Sequence, residues 1–314
     1  MRKFILYRFA SLFIVLVLLS VLLFGLVQLS PIDPAVIALG DNATPEQIEA
    51  LTKEWGLDQP VFVQYVNWAT AALEGDLGKS LIGGDEVTHA ILKRMPISVS
   101  LWGVAIFLAV FGGLGLGLFA GIRSGSLADR IVTIGASIGL ALPGFWVGLL
   151  VANAFAVQLR WFPVIGYTPI TESVTGWLHS LILPCTALSL HAIAVIARQA
   201  RGTVIEAFDA PYVQALRANG APDRVIIYRY VIKNALSPVL PIIGIQAGII
   251  VATAVVMERI YAMPGAGALL IDAIVDNDLP MLLGGVMMIA CLVLIINLLV
   301  DIGLALLDPR VRPS

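Results

Sequence analysis

Residues 95–122 read MPISVSLWGVAIFLAVFGGLGLGLFAGI, 28 consecutive positions without an Asp, Glu, Lys or Arg. The hydrocarbon core of a bilayer is about 30 Å thick and takes roughly 20 apolar residues of helix to cross. In lipid, backbone polar groups must be satisfied internally, so only helices and closed barrels span. Barrel strands would be about 10 residues long and would alternate in polarity, and this stretch does neither. Five more stretches share its character: 9–32, 131–159, 173–197, 234–257 and 279–300, with charge-free lengths of 24, 29, 25, 24 and 22. The expected fold class is therefore all-α and integral to the membrane, with six transmembrane helices.

Composition agrees. Of 314 residues 59% are hydrophobic and 13% charged, against about 25% charged in soluble domains. Six spans consume about half of the chain and leave no room for a soluble catalytic domain. The only cysteines, Cys185 and Cys291, fall inside expected spans. They read as small core residues, with neither a disulfide framework nor zinc-ligand spacing.

Sidedness follows from lysine and arginine, which concentrate on the cytoplasmic side. With a cytoplasmic N-terminus, 13 of the 19 basic residues lie inside, among them Arg2, Arg123, Arg201, Arg217 and Arg310. Fifteen of the 21 acids lie outside. Both termini are thus expected in the cytoplasm. A basic start followed by an apolar run also raises a cleaved leader. The run Phe9–Val27 is long for one, and Gln28-Leu-Ser-Pro-Ile-Asp33 offers no small-residue cleavage site, so an uncleaved first span is expected.

The expected organisation is a first span over 1–32, a large external loop over 33–94, a five-span core over 95–306 and a tail over 307–314. The loop opens with Pro31-Ile-Asp-Pro34. Thr44-Pro-Glu-Gln47 has the form of a helix start, with Thr44 as N-cap, Pro45 in the first turn and Gln47 three residues on; the helix would run to Glu54. A second amphipathic stretch, Pro60–Leu73, would turn Val61, Tyr65, Trp68 and Leu73 to one side. Gly78-Lys-Ser80 resembles the end of a phosphate-binding loop, but that loop needs glycine at position 73, which is Leu. Without a phosphate loop the chain does not itself hydrolyse ATP. In the spans, Gly113, Gly117 and Gly121 form two consecutive GxxxG steps. Gly135/Gly139 and Gly144/Gly148 form two more, as expected of close helix packing in lipid. A contact face for a second subunit is the alternative. Leu142-Pro-Gly144 should kink the third span.

Between the fourth and fifth spans lies the longest cytoplasmic segment, 198–233. Asp209 or Ala210 can cap a short helix with Pro211 in its first turn, covering Tyr212–Asn219. Gly220 suits the left-handed position after a helix. Pro222 starts a second helix with Asp223 at its positive end, and Val225, Ile226, Tyr230 and Val231 can lie against the bundle. Such a helix–glycine–helix elbow suits docking into a partner's groove. An ordinary interfacial helix pair near anionic lipid has the same geometry.

Tyr212-Val-Gln-Ala-Leu-Arg217-Ala-Asn-Gly220 and Asn234-Ala-Leu-Ser-Pro238 resemble the EAA loop of permease subunits of binding-protein-dependent ABC importers. The dipeptide/oligopeptide/nickel branch is the most similar. The resemblance runs along nearly the whole chain. It takes in Gly56-Leu-Asp-Gln-Pro60, Gly75-Asp-Leu-Gly78-Lys-Ser80, Leu142-Pro-Gly-Phe-Trp146, Pro264-Gly-Ala-Gly267 and Leu307-Asp-Pro-Arg310. It implies a type I importer permease fold and no enzyme activity in this chain. The implied partners are a second, different permease chain, two ATPase subunits that hold ATP and magnesium, and an extracytoplasmic substrate-binding protein. The setting is a prokaryotic inner membrane, and no nucleic acid is involved. The resemblance makes the elbow at 198–235 the coupling element, through Tyr212, Val213, Gln214, Leu216, Arg217, Asn219, Gly220 and Pro222. The motif's glutamate position is occupied here by Gln214, and Arg217 could supply a polar contact instead.

Few polar residues lie within the spans. His191, Gln246 and Asn153 are candidates for the substrate path, beside Gln158 and Asn297; helix–helix hydrogen bonding is the competing role. His89, His179 and His191 are scattered and form no metal cluster. The resemblance favours short peptides as cargo, with nickel or another small solute as the alternative. An ion-coupled secondary transporter is a distant one, because such proteins carry ionisable groups at mid-membrane and only Asp301, at a span end, lies near one.

Overall fold

The computed structural model describes residues 2–29, 33–40 and 43–307. The tail 308–314, with most of the Leu307-Asp-Pro-Arg310 motif, and residues Pro31 and Ile32 lie outside that set. Among the described residues the chain is helical, with one isolated bridge between Lys79 and Glu86. In chain order the helices are α1 (Arg2–Gln28), α2 (Pro34–Leu39), α3 (Pro45–Glu54), α4 (Val61–Leu73), α5 (Val87–Ile122), α6 (Leu127–Ala141) and α7 (Gly144–Val151). They continue with α8 (Val174–Asp209), α9 (Pro211–Ala218), α10 (Asp223–Val225), α11 (Ile232–Leu236), α12 (Leu240–Ile260), α13 (Ala266–Val275) and α14 (Leu279–Leu307). Two π-helical segments are inserted, Ala152–Gln158 after α7 and Ile226–Val231 after α10.

Five helices are unbroken and long and apolar enough to span: Tyr7–Gln28, α5, α8, α12 and Leu279–Gly303. A further pair, Leu127–Ala141 with Gly144–Gln158, is apolar and long enough only when taken together, as a broken span or a re-entrant loop. The expected kink at Leu142-Pro143-Gly144 is a bend of 102° between α6 and the helix that starts at Gly144, so 131–159 is not one continuous rod. Leu142 and Pro143 both leave the helical region, with ψ of 128° and 132°. Proline forces its predecessor toward extended backbone and removes a donor, which together stop α6. At 36 residues each, α5 and α8 measure about 54 Å at 1.5 Å per residue, well beyond the hydrocarbon.

The chain divides into two compact units, one of residues 99–263 and 295 onward, the other of 2–98 and 264–294. In the first, α8 is the central element. Three glycines of α5 make its closest contacts. A Cβ on Gly113 would lie 2.7 Å from the Ile196 Cβ, one on Gly117 2.5 Å from the Ala197 carbonyl oxygen, and one on Gly121 2.7 Å from the Val204 Cβ. These GxxxG steps therefore serve internal packing, with backbones close enough for dispersion where apolar association gains little from lipid. Gly139 of α6 packs on Ala194, and Gly148 of α7 on the Met257 sulfur. Gly135, by contrast, faces open space. The Tyr261 hydroxyl donates to the Gly148 carbonyl at 3.0 Å. At the start of α6, Asp129 is only 3% exposed and is held by Arg201 of α8 through two hydrogen bonds, one of them 2.9 Å from Nη2 to Oδ2. The Gly125 amide donates to the same carboxylate at 2.9 Å.

In the second unit, the short helices form as the sequence leads one to expect. Thr44 and Gln47 complete a reciprocal capping box at the start of α3, which ends at Glu54. Helix α4 meets α1 through Ser20 and Tyr65, 2.9 Å apart, and through the Phe24 ring against Tyr65 and Trp68. Val61 and Leu73, at the two ends of α4, are exposed rather than turned to that side. The Gly78-Lys-Ser80 segment is a structural turn. The Ser80 hydroxyl donates to Asp278, and the Leu81 amide donates to the same carboxylate at 3.3 Å. Helix α13, which the charge-free windows did not announce, buries Ala266–Leu270, and its first amide bonds to Ser98 Oγ at 2.8 Å.

Four outcomes follow for the purified chain in detergent, read by thermal unfolding. Gly117→Leu should destabilise by about 2 kcal/mol or more through overpacking, whereas Gly135→Ala should be neutral or stabilising by up to about 1 kcal/mol. Asp129→Ala should cost about 1–3 kcal/mol through the lost charge-assisted hydrogen bonds to Arg201, and adding Arg201→Met should restore part of that loss.

Candidate functional site

The elbow is built from its caps inward. Ala210 ends α8 in extended backbone, and Pro211 opens α9, where its fixed φ suits a first helical turn. Helix α9 stops two residues before the positive-φ position at Gly220, whose φ is +76°. The Gly220 amide donates to the Arg217 carbonyl and the Ala221 amide to the Leu216 carbonyl, both at 3.0 Å. This 5→2 and 6→1 pair is the Schellman arrangement, which satisfies carbonyls the helix end would leave open. Nothing lies within 4 Å of a Cβ placed on Gly220; its requirement for glycine is one of backbone conformation alone.

Helix α9 is two-faced. Val213 is fully buried and Tyr212 and Leu216 half-buried, while Gln214, Ala215, Arg217, Ala218 and Asn219 face out. Val213 joins Val204 of α8, Ile226, Val231 and Ala235 in one apolar cluster, with Leu118 and Ile122 of α5 packed against it. Ile226 and Val231 are five residues apart. On an α-helix they would diverge by about 140°, and the π-helical i→i+5 register brings both into this cluster. Val225, expected against the bundle, is exposed: it ends α10, one position before the buried Ile226, and so points about 100° away from it. Pro222 caps the start of α10 through its carbonyl, which accepts from Val225 and Ile226. Arg217 and Asp223 stand 3.7 Å apart at the surface, a pair worth at most about 1 kcal/mol. The elbow is thus clamped to the end of α8 and leaves one helix face open.

The candidate path residues separate. His191 of α8 and Gln246 of α12 line one cavity of about 470 Å³, closed by Leu142-Pro-Gly144 at the break in the third span and by Thr253 and Met257. Asn153 is exposed in the π-helical segment after α7 and does not line it. Among the described residues no group of three or more His, Cys, Asp or Glu could hold a metal ion. Both cysteines are free thiols. A larger cavity, about 1060 Å³, belongs to the second unit and lies among Phe24, Trp55 and Trp68, with Asp33 and Lys79 at its wall.

Three features escaped sequence reasoning. Asp129 and Arg201 are 72 positions apart, and no local pattern pairs them. Glu258 near the end of α12, one position beyond the charge-free window 234–257, is fully buried. Met257 reaches across to Gly148. The glycine at 148 was the only signal, since it marks a close approach without naming the partner.

Val213→Ala should remove about 2 kcal/mol of apolar burial and speed backbone hydrogen exchange across 204–235. Gln214→Ala, on the open face of the same helix, should leave that exchange unchanged.

The chain matches the family described as "Binding-protein-dependent transport system inner membrane component" over residues 113–313. It also matches the corresponding N-terminal membrane-component family over residues 1–102. It is 37% identical over 312 residues to a protein of Brucella abortus named as a peptide transport system permease, covering 99% of each chain. It is 36% identical to one of Sinorhizobium fredii named as a peptide ABC transporter permease, covering 99% of this chain and 100% of the other. It is 34% identical to a di/tripeptide transport system permease of Pseudomonas aeruginosa, covering 93% and 94%. Five unbroken apolar spans and one sharply bent apolar pair, an elbow clamped beneath α8, and family matches that run nearly from end to end lead to one conclusion: this chain belongs to the inner membrane components of binding-protein-dependent transport systems.

Proposed function

We propose that this multi-pass inner-membrane protein is one of two permease subunits of an ATP-driven importer of short peptides. Its partners are a second, different permease, two ATPase subunits that hold ATP and magnesium, and an extracytoplasmic binding protein. Both termini face the cytoplasm, where the excess of lysine and arginine lies. The peptide cargo is supported by the names that the full-length relatives carry.

The observation that carries the coupling role is helix α9. One face, around Val213, is buried against the ends of α5 and α8, and the other presents Gln214, Arg217 and Asn219 to a partner. A helix held in this way moves as a rigid body with the spans it is clamped to. When the ATPases close on ATP, their grooves draw this elbow toward its counterpart on the second permease. The force enters α8 through Val204 and Val213, the spans rock, and the path changes its open side. Hydrolysis and release reverse the motion. Gln214, standing where related loops carry glutamate, makes a neutral contact, and Arg217 provides the charge on that face.

Labelled dipeptide uptake into proteoliposomes holding the whole assembly tests this. Wild type should take up peptide only with ATP. Gly220→Trp should insert normally, because its side chain meets open space within the chain, yet lose uptake by blocking the docking groove. Gly220→Ala, with the same backbone strain of about 1–2 kcal/mol and no bulk, should retain most of it. Full uptake by the tryptophan variant would remove the coupling assignment; no peptide uptake by wild type would remove the cargo.

A further inference from the structure

Gln246 sits in α12 at the cavity that His191 also lines. It is 6% exposed, and its Oε1 is buried without a hydrogen-bond partner among the described residues. Buried polar atoms in folded proteins nearly always have a partner, and each exception calls for an explanation. The rest of the wall is apolar apart from His191 and Thr253. The Thr253 hydroxyl is already committed to the Ile249 carbonyl at 2.8 Å. The cavity, about 470 Å³, falls in the range of small-ligand sites, where a few placed polar groups in an apolar wall fix orientation.

We infer that the Gln246 carboxamide is a transient hydrogen-bonding subsite of the substrate path, accepting the backbone amide N–H of a passing peptide. The inference rests on the peptide-importer reading above. A peptide entering this cavity leaves water on several sides, and its amide N–H, if left unpaired, would oppose entry. A rotation of the carboxamide carries the Gln246 oxygen, which is covered in this structure, to the cavity, where it offers that N–H an acceptor and gains a donor for itself. Turning the carboxamide over exchanges oxygen and nitrogen, so the same side chain can instead donate to the peptide carbonyl. The group is neutral, and it addresses the one feature shared by all peptides regardless of side chain. Its contribution is therefore selectivity for an amide over other solutes, without selectivity among sequences. A charged residue there would hold a peptide terminus and slow its release.

The test compares uptake of alanyl-alanine with that of alanyl-lactate, in which an ester oxygen replaces the amide N–H. Both are supplied at saturating concentration to the whole assembly with the same binding protein, using wild type, Gln246→Leu and Gln246→Met. Wild type should favour the amide by about five- to tenfold, the order of one hydrogen bond. Both variants should reduce that ratio to near one by losing amide uptake, while thermal unfolding shows them folded and no less stable than wild type. An amide-to-ester ratio that is the same in wild type and variants would overturn the subsite and leave the importer reading intact. Absence of uptake of either compound by wild type would overturn both.

Discussion

Between α5 and α8 the two backbones meet with no room for a side chain. A Cβ on Gly117 would come within 2.5 Å of the Ala197 carbonyl oxygen, and Gly113 and Gly121 are almost as tight one turn to either side. Lipid tails are as apolar as leucine, so the helices gain little by merely hiding hydrophobic surface from water. Close approach supplies the dispersion contacts that hold them instead. This constraint fixes α8, and α8 organises most of the unit around it. His191 stands in its middle, Arg201 holds the start of α6, Val204 anchors the elbow, and the chain leaves Asp209 directly into α9.

Around that rigid axis the structure places its irregularities. The third span breaks at Leu142-Pro-Gly144, and the break lies against the cavity beside His191 and Gln246. The elbow contains a π-helical segment, a form that concentrates at functional sites, and here it lets Ile226 and Val231 share one apolar cluster. The break and the wider, underwound π-helical turns each reshape a local face of the bundle. The fully buried Glu258 and the buried, unpartnered oxygen of Gln246 lie in the same long helix, α12, so polar groups are placed sparsely within it.

Much of this was legible in the sequence for simple reasons. Charge-free windows longer than a bilayer crossing have one solution in lipid. Thr44, Pro45 and Gln47 carry the capping box, and Pro211 and Gly220 carry both ends of α9, because caps and left-handed turns are local and depend on few residues. The resemblance to importer permeases rests on motifs spread over the chain, and the matches to known families agree with it. The break of 102° was underestimated as a kink, because a proline's presence shows that hydrogen bonds are lost but not what fills the gap beside it. Helix α13 was missed because ten residues are too few to signal a span, and Asn153 was grouped with His191 and Gln246 only by polarity.

Sequence by itself determined the helical class, the membrane setting, the site of the elbow and the family, since each depends on composition, local backbone preference or an ordered set of motifs. Tertiary structure alone decided which glycines are contacts and which face open space, why Asp129 belongs with Arg201, and how a π-helical turn seats the elbow. It alone brought His191 and Gln246 to one cavity and left Asn153 outside. Those outcomes turn on which surfaces meet across tens of residues, and a buried polar group is recognised only when its surroundings, and the absence of a partner in them, are known.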